Sequence, residues 1–197
     1  MVSLTSTERE CLLVLFKEFT AFYNANSISK ILNISHVGAQ KLFKRLLKEN
    51  LVISRQIGKS ITYRLNFEEA YVSQLIIFLL ADEANSFKRW KEEFKEIFQE
   101  GRILMIYGSA IKNYSQASDI DIMIVMDKND IKEINKFINK KEEMLPKKLH
   151  AIMVTRQDLL ENLKEGNKAI IDIVKNAIIL YGQDKYVEIM KDAQKVF

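Results

Sequence analysis

One cysteine, one proline and six glycines are spread over 197 residues. A single thiol cannot close an internal disulfide, so a reducing, cytoplasmic setting is expected. Cys11 sits in the apolar run Cys11-Leu12-Leu13-Val14-Leu15-Phe16 and reads as a small buried residue. No Gly/Ser/Pro-rich stretch separates one part of the chain from another, so any connection between domains is expected to be helical and fairly rigid. The most apolar run, Leu75 to Ala81, is far shorter than the ~20 residues needed to cross a bilayer. The N-terminus lacks the basic flank, long apolar run and small-residue cleavage site of a secretory signal. No membrane association is expected.

Charge is unevenly placed. Residues 1–66 hold ten Lys/Arg against four Asp/Glu, a balance of +6; the remainder holds twenty against twenty-two, a balance of −2. A basic N-terminal third points to an anionic partner there, with nucleic acid, and DNA in particular, as the leading candidate.

In that third, Leu12, Leu15, Phe16, Phe19 and Phe22 recur at helical spacing over 7–22. A second short helix is expected from about Ser27, with Ile28, Ile31 and Leu32 inward. Asn33 suits a tight turn, and Ser35 suits the N-cap of a third helix over 36–50. Ala39, Leu42, Phe43, Leu46 and Leu47 make one buried stripe of that helix; Gln40, Lys41, Lys44, Arg45 and Lys48 make a basic opposite face. Two β-rich runs, 51–55 and 60–64, flank Gly58-Lys59 and read as a hairpin.

Helix, helix, turn, helix, hairpin resembles the winged helix-turn-helix regulators of bacteria and archaea. The resemblance implies that the third helix enters the major groove. Gln40, Lys41, Lys44, Arg45 and Lys48 would then meet bases or phosphates, and Lys59 at the wing tip would meet backbone. Lys and Arg supply charge, while Gln40 and Arg45 can also read base edges. A winged helix used only for protein contacts or dimerisation is the alternative.

Residues 67–100 read as two helices forming a connector. Trp90, Phe94 and Phe98 lie on one face of the second, as core or as domain-packing surface. The apolar helix 70–82 is a candidate homodimer surface.

Chemistry concentrates in Arg102 to Asp127, RILMIYGSAIKNYSQASDIDIMIVMD. A strand over 103–107 leads into Gly108-Ser109 and a short helix. After a polar loop a second strand covers 119–126. Alternation puts Asp119 and Asp121 on one face and Ile120, Ile122 and Ile124 on the other. Two neighbouring carboxylates repel unless a cation lies between them, and a hard divalent ion suits oxygen ligands and phosphate oxygens together. Gly108 allows close backbone approach to a phosphate, and Ser109 offers a hydroxyl and free amides to the same group.

This composite resembles the nucleotidyltransferase superfamily that includes DNA polymerase β, and in particular its small "minimal" prokaryotic members. The resemblance extends to residues 169–182, AIIDIVKNAIILYG. It implies Asp119 and Asp121 as catalytic metal ligands, Gly108, Ser109 and Ser118 as nucleotide-binding residues, Mg²⁺ or Mn²⁺ as the ion, and a nucleoside triphosphate as substrate or ligand. It also implies a possible helical protein partner, which small members modify or neutralise.

Two features depart from the family's pattern. Asn113 stands where a glycine is usual, in a loop one residue shorter than usual. The strand expected at 148–154, KLHAIMV, carries His150 where active members have a third acid. Imidazole is a poor Mg²⁺ ligand but suits Mn²⁺ or Zn²⁺. His150 therefore stands open as an ordinary surface histidine, a metal ligand or a base; Glu142 and Glu143 lie nearby but in a helical stretch.

The expected fold is α/β of the α+β kind. A winged helix (1–66) and a helical connector (67–100) precede a small mixed-sheet nucleotidyltransferase-like domain (101–197). Strands are expected at 103–107, 119–126, 148–154 and 178–181, and helices at 130–143, 157–164, 167–177 and 184–195. Two functions are consistent with this. One is Mg²⁺-dependent transfer of a nucleoside monophosphate to a hydroxyl. The other is a DNA-binding regulator with a degenerate domain that senses nucleotide or mediates assembly.

Overall fold

The computed structural model describes residues 3–194, so the expected helix end at 195 lies outside the described residues. The chain forms two compact units that divide between Leu79 and Leu80.

In the first unit, α1 (Ser6–Lys17) starts at a capping box in which Thr5 and Glu8 satisfy each other's backbone amides. Asn24 and Ser27 do the same for α2 (Ala25–Ile31), and Ser35 caps α3 (His36–Lys48) by accepting from the Gly38 amide. Between α2 and α3 the chain turns on Asn33, at φ 50°, a left-handed angle that asparagine tolerates. β1 (Val52–Ile57) pairs antiparallel with β2 (Ser60–Leu65). Gly58-Lys59 is the two-residue loop between them, with Gly58 at φ 59°.

α1 is shorter than the apolar spacing over 7–22 suggests. The reason is Tyr23, whose backbone bridges Tyr63 on the hairpin and takes its amide hydrogen bond at 2.8 Å. The chain must leave the helix to make that contact. Phe19 stays buried, but Phe22 is exposed and lies 4.1 Å beneath the Arg64 guanidinium. Phe43 stacks flat on Tyr63, with ring centroids 3.8 Å apart, which fixes α3 against the wing. Leu47 is only half-buried. Cys11 is fully buried, and burial pushes its thiol up to about 12.

α4 (Ala70–Asn85) contains the boundary between the units. α5 (Lys88–Phe94) gives way to a 3₁₀ turn, Lys95–Ile97, rather than continuing to 100. Trp90, Phe94 and Ile97 are core residues of the second unit, and Phe98 stacks on Tyr181. The stretch 67–100 is thus shared between the two units.

The second unit is built on a four-stranded sheet in the order β5-β4-β3-β6. Its strands are β3 (Ile103–Tyr107), β4 (Asp119–Val125), β5 (Lys148–Val154) and β6 (Ile178–Tyr181). β3 is antiparallel to both neighbours, whereas β4 and β5 are parallel. Parallel neighbours need a crossover, supplied here by α7 (Ile131–Met144). The one-turn helix α6 (Ser109–Lys112) lies between β3 and β4. α8 (Arg156–Lys164), α9 (Lys168–Asn176) and α10 (Gln183–Gln194) complete the unit. Ile120, Ile122 and Ile124 are fully buried. Buried Arg102 is held by Asp130 at 3.1 Å and by both Glu133 oxygens. The fold is mixed α/β, with a winged-helix unit followed by a small mixed-sheet unit.

Candidate functional site

β4 is buried along most of its length, but its first turnout from the loop is open on one face. Asp119 and Asp121 occupy that face and are half-buried. The register places Asp121 between Tyr107 of β3 and His150 of β5. His150 Nδ1 is 3.6 Å from Asp119 Oδ2 and 3.5 Å from Asp121 Oδ1. These gaps are longer than good hydrogen bonds. One ligand atom from each of the three residues lies within 4.8 Å of the other two. Burial raises the Asp121 carboxyl above the usual range, the Asp119 charge raises it further, and His150 opposes both. Two oxygens and an imidazole nitrogen converging this closely fit a divalent cation; Mn²⁺ or Zn²⁺ suits the nitrogen better than Mg²⁺ does.

Gly108 closes the site from the β3 side. It sits at φ 78°, and a Cβ there would lie 2.2 Å from Asp121 Oδ2. Only glycine lets the turn pass beside the carboxylate. Ser109 follows at the exposed start of α6. With four residues that helix has no meaningful dipole, so its contribution is the amides of a tight turn. Asn113 is extended, at φ −151°; the left-handed angle that a glycine would favour is not used. Instead its carbonyl receives the Gln116 and Ala117 amides and its side chain receives Ser115 Oγ.

The loop into β4 is held by residues from elsewhere in the chain, outside the motif. Lys147, just before β5, donates to the carbonyls of Ala117 and Ser115. Its ammonium also lies 4.7 Å over the Tyr114 ring, which Arg89 covers at 3.9 Å and Trp90 meets edge-on. The motif shows the acids but not this scaffold, because its members are distant in sequence. Ser118 is exposed at the start of β4, and Glu142 and Glu143 are exposed on α7 outside the cluster.

On the first unit, Gln40, Lys41, Lys44 and Lys48 are exposed along α3, and Lys59 is exposed at the wing tip. Arg45 differs from them. Its Nε lies 3.2 Å from Glu8 Oε1, a side chain only 5% exposed, and its guanidinium also donates to the Ser3 carbonyl. It ties α3 to the start of α1.

Residues 92–186, from α5 into α10, match the family described as polymerase beta, nucleotidyltransferase. That part of the chain is a nucleotidyltransferase-like domain, and the matched stretch contains the whole four-stranded sheet and the Asp119–Asp121–His150 cluster. None of the curated proteins compared with the chain matches it. Among solved structures, a mutant of Lactococcus lactis ZitR in complex with DNA is 19% identical over 49% of this chain and 66% of that one, at a TM-score of 0.37. The adhesin competence repressor AdcR of Streptococcus pyogenes is 13% identical over 73% of this chain and 84% of its own, at a TM-score of 0.38. Among the described residues, no helix is long and apolar enough to cross a membrane.

Proposed function

We propose that the protein binds a nucleoside triphosphate with a divalent metal ion and transfers its nucleoside monophosphate to a hydroxyl acceptor with release of pyrophosphate, and that its winged helix binds DNA. The observation that carries the first part is the convergence of Asp119, Asp121 and His150 beside the Gly108-Ser109 turn. In this reading Asp119 and Asp121 hold the metal, and the amides and hydroxyl of the Gly108-Ser109 turn hold the triphosphate, with Ser118 at the rim. A divalent cation bound there stabilises charge on the triphosphate and lowers the pKa of an attacking hydroxyl. Gly108 keeps the turn close enough for both roles. The test is incubation with labelled nucleoside triphosphates and Mn²⁺ or Mg²⁺, followed by detection of labelled product. Transfer that persists when both Asp119→Ala and Asp121→Ala are present would refute the site.

DNA binding is supported by the exposed cations Lys41, Lys44, Lys48 and Lys59 and by Gln40. Arg45 joins them in this reading: its Nε faces Glu8, but its side chain is 45% exposed.

A second reading is favoured by His150 itself. Unlike a third carboxylate, an imidazole brings no negative charge to the cluster and suits Mg²⁺ poorly. On this reading the domain binds metal and nucleotide without turnover, as the sensing part of a DNA-binding regulator. Saturable nucleotide binding with no product under either metal, together with a nucleotide-dependent change in DNA affinity, would select it.

A further inference from the structure

Beside Gly108, between α6 and α9, lies an open cleft of about 230 Å³ that the metal cluster does not use. The end of β3 contributes Tyr107 to its lining, with Gly108 after it, α6 contributes Ile111 and Lys112, and α9 contributes Asp172, Ile173 and Asn176. We propose that this cleft is the nucleoside pocket of the site and that Asp172 and Asn176 recognise the nucleoside by hydrogen bonds. The proposal rests on the nucleotide-binding reading given above.

Three observations carry it. The first is continuity: Gly108 borders both the cleft and the Asp121 carboxylate, so a ligand whose phosphates lie at the Gly108-Ser109 turn extends directly into the cleft. The second is size. Small-molecule sites usually occupy about 300–1,000 Å³, so this cleft suits one ring system and not an entire nucleoside triphosphate. The third is polarity. Lys112 and Asp172 offset each other in charge, and an amide, a phenol and two isoleucines complete the lining. That is a poor site for a triphosphate, which carries several negative charges, and a good one for a neutral ring bearing both donors and acceptors.

Asp172 and Asn176 are one helical turn apart. The Asn176 amide donates to the Asp172 carbonyl at 2.9 Å and to its Oδ1 at 3.1 Å. This orients the carboxylate and leaves Oδ2 to accept from a ligand N–H or O–H. Ile111 and Ile173 give the cleft its apolar lining from the two helices. Ile173 is buried at the base of α9, so the helix face is held in place.

The experiment compares two probes on the full chain by calorimetry in Mn²⁺: each of the four nucleoside triphosphates, and inorganic tripolyphosphate, which has the phosphates but no nucleoside. Asp172→Asn keeps the shape and removes the charged acceptor; Asn176→Ala removes the orienting amide. Each is expected to weaken the preferred nucleoside triphosphate about tenfold, the effect of one or two lost hydrogen bonds, and to leave tripolyphosphate unchanged. Asp119→Ala should weaken both probes. Unchanged nucleotide affinity in the Asp172 and Asn176 variants, or an equal loss for both probes, would overturn the pocket while leaving the phosphate and metal site intact. Failure of the unaltered protein to bind either probe would remove the underlying reading as well. Both side chains are exposed, and an unchanged melting temperature confirms that each variant is folded. A dideoxynucleotide that loses affinity in the unaltered protein but not in Asp172→Asn assigns the carboxylate to a sugar hydroxyl; equal losses in both assign it to the base.

Discussion

His150 stands directly across from Asp121 in the parallel pairing of β5 with β4, with its Nδ1 3.5 Å from Asp121 Oδ1. A residue at that register completes a three-ligand cluster by backbone geometry alone. If His150→Asp supplies the third acid, Mg²⁺-supported transfer should rise. Three carboxylates with no cation repel, so the same variant should melt at a lower temperature without metal and recover on adding Mg²⁺. Melting curves with and without Mg²⁺, alongside a transfer assay, check both. His150→Ala should instead weaken Mn²⁺ binding while leaving Mg²⁺ binding little changed.

Gly108→Ala tests the close approach of the turn to Asp121. The new methyl would collide with the carboxylate, and the backbone would sit at a left-handed angle. The strain should cost about 1–3 kcal/mol in stability. Metal binding should fall together with stability, because the carboxylate must move. Urea unfolding and Mn²⁺ titration measure the two effects.

Arg45 and its neighbours on α3 should separate cleanly. Arg45→Ala leaves Glu8 Oε1 without its cation inside a nearly closed site, at an expected loss of about 1–3 kcal/mol in stability. Lys41→Ala and Lys44→Ala should leave the melting temperature unchanged. If the winged helix binds DNA, each should lower the salt-dependence slope of binding by about 0.9 where that lysine meets a phosphate. Fluorescence anisotropy over a range of salt, with thermal melts, distinguishes the two classes.

Arg102 gives the second unit a defined acid sensitivity. Its guanidinium holds the Asp130 and Glu133 carboxyls below their usual ranges through hydrogen bonds. A depressed folded-state value means that the stabilisation is present at neutral pH. It is lost as pH falls through the ordinary carboxylate range and below it. Arg102→Met should be less stable at pH 7 and should lose less stability on acidification than the unaltered protein. Urea unfolding at neutral and at acidic pH reads the difference.

Much of the fold follows from local chemistry that a sequence displays. Ser35 and Asn33 mark the turn into α3 because caps and left-handed turns are short-range events, and the alternation of Asp119, Ile120, Asp121 and Ile122 fixes which face of β4 is polar. β3, β5 and β6 fall at 103–107, 148–154 and 178–181 as their β-rich runs suggest, and the helices at 130–143, 157–164 and 167–177 appear within a residue or so.

Tertiary structure decided the rest, since it depends on residues distant in the chain. α1 stops at Lys17 because Tyr23 must reach Tyr63. Arg45 looks like one more cation on a basic face until Glu8, far away in sequence, is seen to hold it. The stretch 67–100 reads as a connector whose Trp90 and Phe94 face is core or domain-packing surface, and packing settles them in the sheet's core. The acids could be read from their motif. The stretches that hold Tyr114, Asp172 and Asn176 are part of the resemblance, but only tertiary packing sets Lys147 against the loop into β4 and lines the cleft beside Gly108 with Asp172 and Asn176.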